Sequence, residues 1–270
     1  MSRILFSVIL ISAFAALALG QEAKLVWSDE FEGKAGSPPD AAKWSYMKGG
    51  EGWGNKELQY YTESAESARL DGKGHLVIEA SEAGTDTGLK CWYGPCKYTS
   101  ARLSTKSIFS RKYGRFEARM RLPEGKGVWP AFWLLGDDIE KVGWPECGEI
   151  DIMEMIGHEP STLYGTLHGP GYSGGSGLSE HTELSEGKFA DGFNVFAVEW
   201  RPDEIKWLLN GKVYTRKTPT DLPKEARWAF DHKFFIILNL AIGGNWPGNP
   251  GPSTKFPARV EVDYVRVYDL

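Results

Sequence analysis

Apolar and polar residues alternate with a period of two along much of the chain, and no stretch sustains helical spacing. Residues 115–122 alternate cleanly, which predicts a strand with one buried face. Residues 193–200 form a second strand pattern and end in the turn Arg201-Pro202-Asp203-Glu204. Residues 205–209 then run into Asn210-Gly211, a tight-hairpin dipeptide, and Lys212-Val213-Tyr214 returns. Residues 234–242 are nearly all apolar, which predicts a central strand covered on both faces. Residues 260–268 alternate again and close the pattern. Glycine and proline clusters at 49–54, 169–177 and 243–252 mark loops, and 219–226 has room for one short helix or turn. Many short strands with glycine-rich turns predict an all-β fold, two antiparallel sheets packed as a sandwich. Loops of such a fold gather at its edges and often build the ligand site.

The N-terminus departs from this pattern. Arg3 precedes an apolar run, residues 4–19, with small residues near Ala18 and Gly20. This is the pattern of a secretory signal peptide, residues 1–20, with cleavage expected after Gly20. The run is short for a membrane span, and no cysteine follows it to carry a lipid. A secreted or periplasmic protein is expected, with one domain over 21–270 and no membrane contact after cleavage. The net charge of -5 and a pI near 5.7 argue against nucleic acid and suit a neutral ligand. Eleven tryptophans exceed what a core of this size demands, and flat rings suit the faces of sugars, as of other apolar ligands. Cys91 and Cys96 flank a short loop and could form a local disulfide in an exported protein. Cys147 has no basic neighbour and reads as a small buried residue, and no zinc spacing is present.

The candidate chemistry lies in Glu149-Ile-Asp-Ile-Met-Glu154, three acids in a run otherwise made of isoleucine and methionine. As a regular strand it would show Glu149 and Asp151 on one face and send Glu154 to the other. A buried, unpaired carboxylate there would cost several kcal/mol or lose its charge. One extra residue, a β-bulge, returns Glu154 to its partners. Carboxylates about 5–5.5 Å apart are the equipment of a retaining glycosidase, whereas inverting enzymes need a wider gap. Glu149 then reads as nucleophile and Glu154 as general acid/base, its pKa raised by two neighbouring charges, with Asp151 tuning both. A solvated acidic face and a hard-cation site are the bland alternatives.

With that strand go Trp27-Ser-Asp-Glu-Phe31, Trp53-Gly-Asn-Lys-Glu-Leu-Gln-Tyr-Tyr-Thr62, Tyr113-Gly-Arg-Phe-Glu-Ala118, Trp129-Pro-Ala-Phe-Trp133, Gly243-Gly-Asn-Trp-Pro247 and Val262-Asp-Tyr-Val-Arg-Val-Tyr268. In this order the chain resembles the family 16 glycoside hydrolases, the laminarinase-like endo-β-1,3-glucanases. The resemblance implies a β-jelly roll with a substrate cleft on its concave face. It implies cleavage of β-1,3 bonds in laminarin-type glucans, with mixed-linkage glucan often tolerated. The roles of Glu149, Asp151 and Glu154 agree with those read from the strand. Trp129 and Trp133 would flank the sugar beside the scissile bond, and Trp246 would add a stacking platform, with Trp53 and Trp144 as weaker candidates. Asn55 and Arg102 would hold sugar hydroxyls on the donor side. His168 would lie near the acid/base, orienting the departing sugar or tuning Glu154. Trp27, Trp44, Trp200 and Trp207 would be core. The resemblance implies no catalytic cofactor, a structural calcium held by Glu30, Gly74 and Asp263, and a monomer whose partner is β-glucan. A non-catalytic glucan-recognition protein, a transglycosylase and an agarase-type enzyme share the fold.

Overall fold

The computed structural model describes residues 23–85 and 87–270, and the expected signal peptide lies outside them. Two large sheets face each other. One, the acid-bearing sheet, runs Leu178–Glu183, Thr162–His168, Glu149–Glu154, Val128–Gly136, Phe234–Ile242, Arg102–Ser104 and Ser45–Tyr46. The opposing sheet runs Lys212–Lys217, Glu204–Leu209, Asn194–Arg201, Gly114–Arg121, Ala258–Tyr268, Leu76–Glu82, Tyr98–Ser100 and Gln59–Tyr61. Neighbours along both orders are antiparallel except the pair Gln59–Tyr61 and Tyr98–Ser100. The fold is therefore the expected all-β sandwich.

The Phe234–Ile242 strand is buried at all nine positions, as its apolar run predicts. Phe234, Ile236, Leu238, Leu240 and Ile242 enter the core between the sheets. On its other face Phe235 and Ile237 form a second apolar cluster with Leu135 and Cys147. Each such side chain contributes about 1.5–3 kcal/mol by leaving water, so the register of this strand is strongly fixed. Asn210 and Gly211 both take positive φ, 50° and 78°, the geometry of the predicted two-residue hairpin.

Trp44, Trp200 and Trp207 are buried core residues, and the partly buried Trp27 packs on Trp44 at the edge of that core. Residues 219–226 hold a short 3-10 turn, Pro219–Asp221, with Asp221 bonding back to Thr218. The one-turn helix Ile139–Val142 was not expected, because four residues are too few to show a period. Cys91 and Cys96 form the disulfide, with Cα atoms 5.0 Å apart. Cys147 is fully buried, and burial pushes its thiol up to about 12, so it is no nucleophile.

Candidate active site

The bulge is present and sits at Ile152. Against the Val128–Gly136 strand, Trp133 pairs with Asp151 and Phe132 with Met153, leaving Ile152 without a partner. On the other side Asp151 pairs with Thr166 and Glu154 with Tyr164, again with one residue in excess. Ile150, Ile152 and Met153 all lie in the core between the sheets. Two consecutive apolar side chains thus point inward, and Glu149, Asp151 and Glu154 share the outer face. Asp151 is only 3% exposed, which removes the solvated-face reading.

Each acid is held by a different partner. Trp144 Nε1 donates to Glu149 Oε2 at 3.1 Å, and Trp129 Nε1 donates to Glu154 Oε1 at 3.0 Å. His168 Nε2 lies 3.3 Å from Asp151 Oδ2 and 3.7 Å from Glu149 Oε1. An imidazole nitrogen among the converging donors is foreign to the all-oxygen sites of hard cations. From the core side, Trp207 Nε1 donates to the backbone carbonyl of Asp151 at 2.7 Å and pins the strand from behind.

The wall beside the acids is continuous. Trp133 Nε1 donates to Asn239 Oδ1 at 2.7 Å, and Asn239 Nδ2 donates to the Tyr61 hydroxyl at 3.1 Å. Tyr61 and Gln59 both donate to the buried carboxylate of Glu57, which also faces Asn55. The Arg102 guanidinium lies between two indoles, 4.5 Å from the Trp53 ring centre and 4.7 Å from that of Trp133, a cation–π sandwich. By register Asp151, Trp133, Ile237, Ser104 and Ser45 form one row across five strands. At strand spacing the row is roughly 19 Å long, room for several sugar units. It ends at a concavity of about 430 Å³ lined by Tyr46, Trp53, Lys106 and Glu140 among others. On the opposite side of Glu154, Trp246 meets Trp129 edge-on at 5.5 Å and Tyr164 at 4.9 Å.

The three carboxyls differ electrically. Burial first, then Asp151, pushes Glu149 up to about 8, while His168, Arg102 and the Trp144 N–H pull it back. Asp151 is likewise raised, by burial. Glu154 is raised well above the carboxylate range by burial, with Asp151 and Glu149 adding to it and only His168 and Trp129 opposing. Burial therefore outweighs the neighbouring charges as the leading cause for Glu154.

The structure brings Glu149, Asp151, Glu154, His168, Trp129, Trp133, Trp246, Arg102 and Asn55 to one region. The register pairs His168 with Glu149, so its ring contacts Asp151 and Glu149, and from there it still opposes the upward shift of Glu154. Arg102 is buried, not a surface charge. Trp144 holds the first acid directly. Glu57, within the Trp53–Thr62 motif but not singled out there, and Asn239, a polar residue in an apolar run, support the wall. Asp263 lies on the opposing sheet, where its Oδ2 takes Arg119 and its Oδ1 lies 4.0 Å from His75 Nε2. The Glu30 carboxylate forks onto Arg266, and Gly74 sits in a turn at φ 85°.

Known proteins resemble this chain in sequence and in fold. The chain is 44% identical over 253 residues to the beta-glucanase of Rhodothermus marinus, covering 91% of this chain and 85% of that one. Among solved structures it is similar to the endo-beta-1,3-glucanase of Pyrococcus furiosus, with TM-score 0.85 and 48% identity over 92% of this chain and 94% of the other. It is similar also to the laminarinase catalytic domain of Thermotoga maritima, with TM-score 0.85 and 46% identity over 93% and 99%. The family model for glycosyl hydrolases family 16 matches residues 55–266, a span that contains the bulged acid strand, and the chain belongs to that family.

Proposed function

We propose that this protein is an exported endo-β-1,3-glucanase that hydrolyses laminarin-type glucans with retention of configuration. The observation that carries the reading is the row of three acids on one face of a bulged strand, framed by indole N–H groups at both ends. The environments separate the roles. Glu149 has more stabilising neighbours than Glu154, which suits Glu149 to act as the carboxylate and Glu154 as the proton donor. The Glu149 carboxylate attacks the anomeric carbon as the glycosidic C–O bond breaks, and Glu154 gives its proton to the departing oxygen. Glu154 then takes a proton from water, whose oxygen attacks the same carbon and releases Glu149. Two inversions give retention. Asp151, beside both, takes up negative charge or a proton as Glu149 changes state. His168 orients Asp151 and Glu149.

Support for the substrate comes from the row ending beyond Arg102, long enough for a polymer, and from relatives named as β-1,3-glucanases. The apolar leader supports export, and among the described residues no helix is long and apolar enough to cross a membrane. Incubation with laminarin is expected to yield β-1,3-linked oligosaccharides whose first-formed anomer, read by nuclear magnetic resonance, is β. An α anomer would overturn the mechanism, and cleavage of agarose in place of laminarin would overturn the substrate.

We place a structural calcium at the carbonyls of Glu30 and Gly74 and at Asp263 Oδ1. These are oxygen donors, the type a hard cation takes, and Oδ1 is the carboxylate oxygen that does not accept from Arg119, with His75 Nε2 4.0 Å away. The ion would brace the opposing sheet and take no part in the chemistry. Chelation is expected to lower Tm, with calcium restoring it and low-temperature turnover unchanged. A Tm that does not move would refute the site.

A further inference from the structure

Three tryptophans are exposed among the described residues: Trp92, Trp144 and Trp246. Two of them stand at the acids, since Trp144 bonds Glu149 and Trp246 meets Trp129. Trp92, at 51%, is more exposed than either and has no role in the site described above. A singly exposed indole is unremarkable in itself; what sets this one apart is how firmly its ring is fixed in place.

Trp92 is held firmly. It sits in the small hairpin formed by Lys90–Cys91 and Gly94–Pro95 and closed by the Cys91–Cys96 disulfide. That hairpin is fastened to loop 49–58. The Trp92 backbone N–H donates to Gly50 O at 2.9 Å, its Nε1 to Glu57 O at 2.8 Å, and the Tyr93 hydroxyl to Leu58 O at 2.5 Å. A Cβ on Gly52 would lie 2.9 Å from Trp92 Cδ1, and Gly52 is at φ +83°; glycine there lets the indole lie close to the loop. Tyr93 stands edge-on to Trp92 at 5.4 Å. The same loop carries Trp53, against which Arg102 packs, and Asn55, whose carbonyl accepts the Asn245 N–H beside Trp246. Trp92 is therefore built onto the loop that forms the Arg102 side of the site.

We propose that Trp92 is an outer stacking platform that receives further glucosyl units of the same β-glucan chain, beyond those held at Trp133, Arg102 and Trp53. The inference rests on the β-glucan reading above. Its one polar atom is consumed by Glu57, so it offers a sugar only a ring face, which suits the apolar C–H face of a pyranose. The disulfide and three hydrogen bonds fix that face before binding, so little freedom is lost when a sugar docks.

The test is KM against chain length, with laminari-oligosaccharides from the trisaccharide to the heptasaccharide and laminarin itself. Trp92→Ala is expected to raise KM for the longest substrates about three- to tenfold, with the effect shrinking as the chain shortens and kcat little moved. Trp92→Phe keeps a ring face and loses the N–H; it is expected to retain most of the affinity for long chains. The double variant Cys91→Ser/Cys96→Ser, which frees the hairpin, is expected to give the same length-dependent rise. A KM change equal at every length, or Trp92→Phe as impaired as Trp92→Ala, would show that the residue only braces the loop and would overturn the proposal. A wild-type protein that cleaves no β-glucan of any length would instead sink the functional reading itself.

Discussion

Glu149→Gln and Glu154→Gln are each expected to lower turnover on laminarin by at least about 10³-fold, within the range expected for removal of a nucleophile or a general acid. The two losses are distinguishable. An aryl β-laminaribioside with a strongly acidic phenol needs no proton to release its leaving group. Glu154→Gln is therefore expected to form the glycosyl-enzyme rapidly from that substrate and to stall at the water step, giving a burst of phenol. Glu149→Gln has no carboxylate to attack the anomeric carbon and gives no burst. The reverse pattern would exchange the roles, and full activity in either variant would end the assignment. Both substitutions keep the size of the side chain, and Gln can still accept from Trp144 or Trp129, so folding is not expected to suffer.

The same variants are expected to gain stability, and the gain depends on pH. Glu149 and Asp151 are raised in the folded protein to about 8 from ordinary values of 4.5 and 3.8, and Glu154 is raised as well. A raised carboxyl contributes stability that is fully present below its unfolded pKa and lost as pH climbs through the folded one. Between about pH 5 and about 8 the unfolded chain ionises these groups more fully than the folded chain, so wild-type Tm falls across that window. Glutamine has no proton to lose. Glu149→Gln or Glu154→Gln is expected to raise Tm by roughly 3–6 °C near pH 8, for about 1–2 kcal/mol regained, and by much less near pH 5. Calorimetry at the two pH values checks this. A Tm difference that is the same at both would mean that the acids are not held in their protonated forms.

Much of this site was legible in the sequence because burial is costly. Three acids among isoleucines and methionine leave few acceptable strand conformations, and the charge cost of sending Glu154 inward points to a bulge. What the sequence did not yield depends on register and long-range contact. His168 sits against Asp151 and Glu149 because two strands pair Glu149 with His168, and no local pattern encodes that alignment. Trp144 reaches Glu149 from a short connection after a one-turn helix, too brief to leave a periodic signal. Asn239 and Tyr61 are bonded across 178 positions, so each looks unremarkable in its own segment. The strands themselves were readable wherever one face or both meet the core, as at Phe234–Ile242 and Gly114–Arg121.

The hydrogen bond from Trp207 to the Asp151 carbonyl has a consequence for how turnover can be tuned. Trp207 belongs to the opposing sheet, and with Tyr214 it presses so closely on Gly165 that a Cβ there would lie 2.5 Å from the indole and 2.6 Å from the phenol oxygen. A change of shape in this hidden layer would bear on the acid strand from its core side and leave the residues of its outer face unaltered. If the acid strand is catalytic as proposed, substitutions at Trp207 or Tyr214 are expected to alter turnover more than substrate affinity.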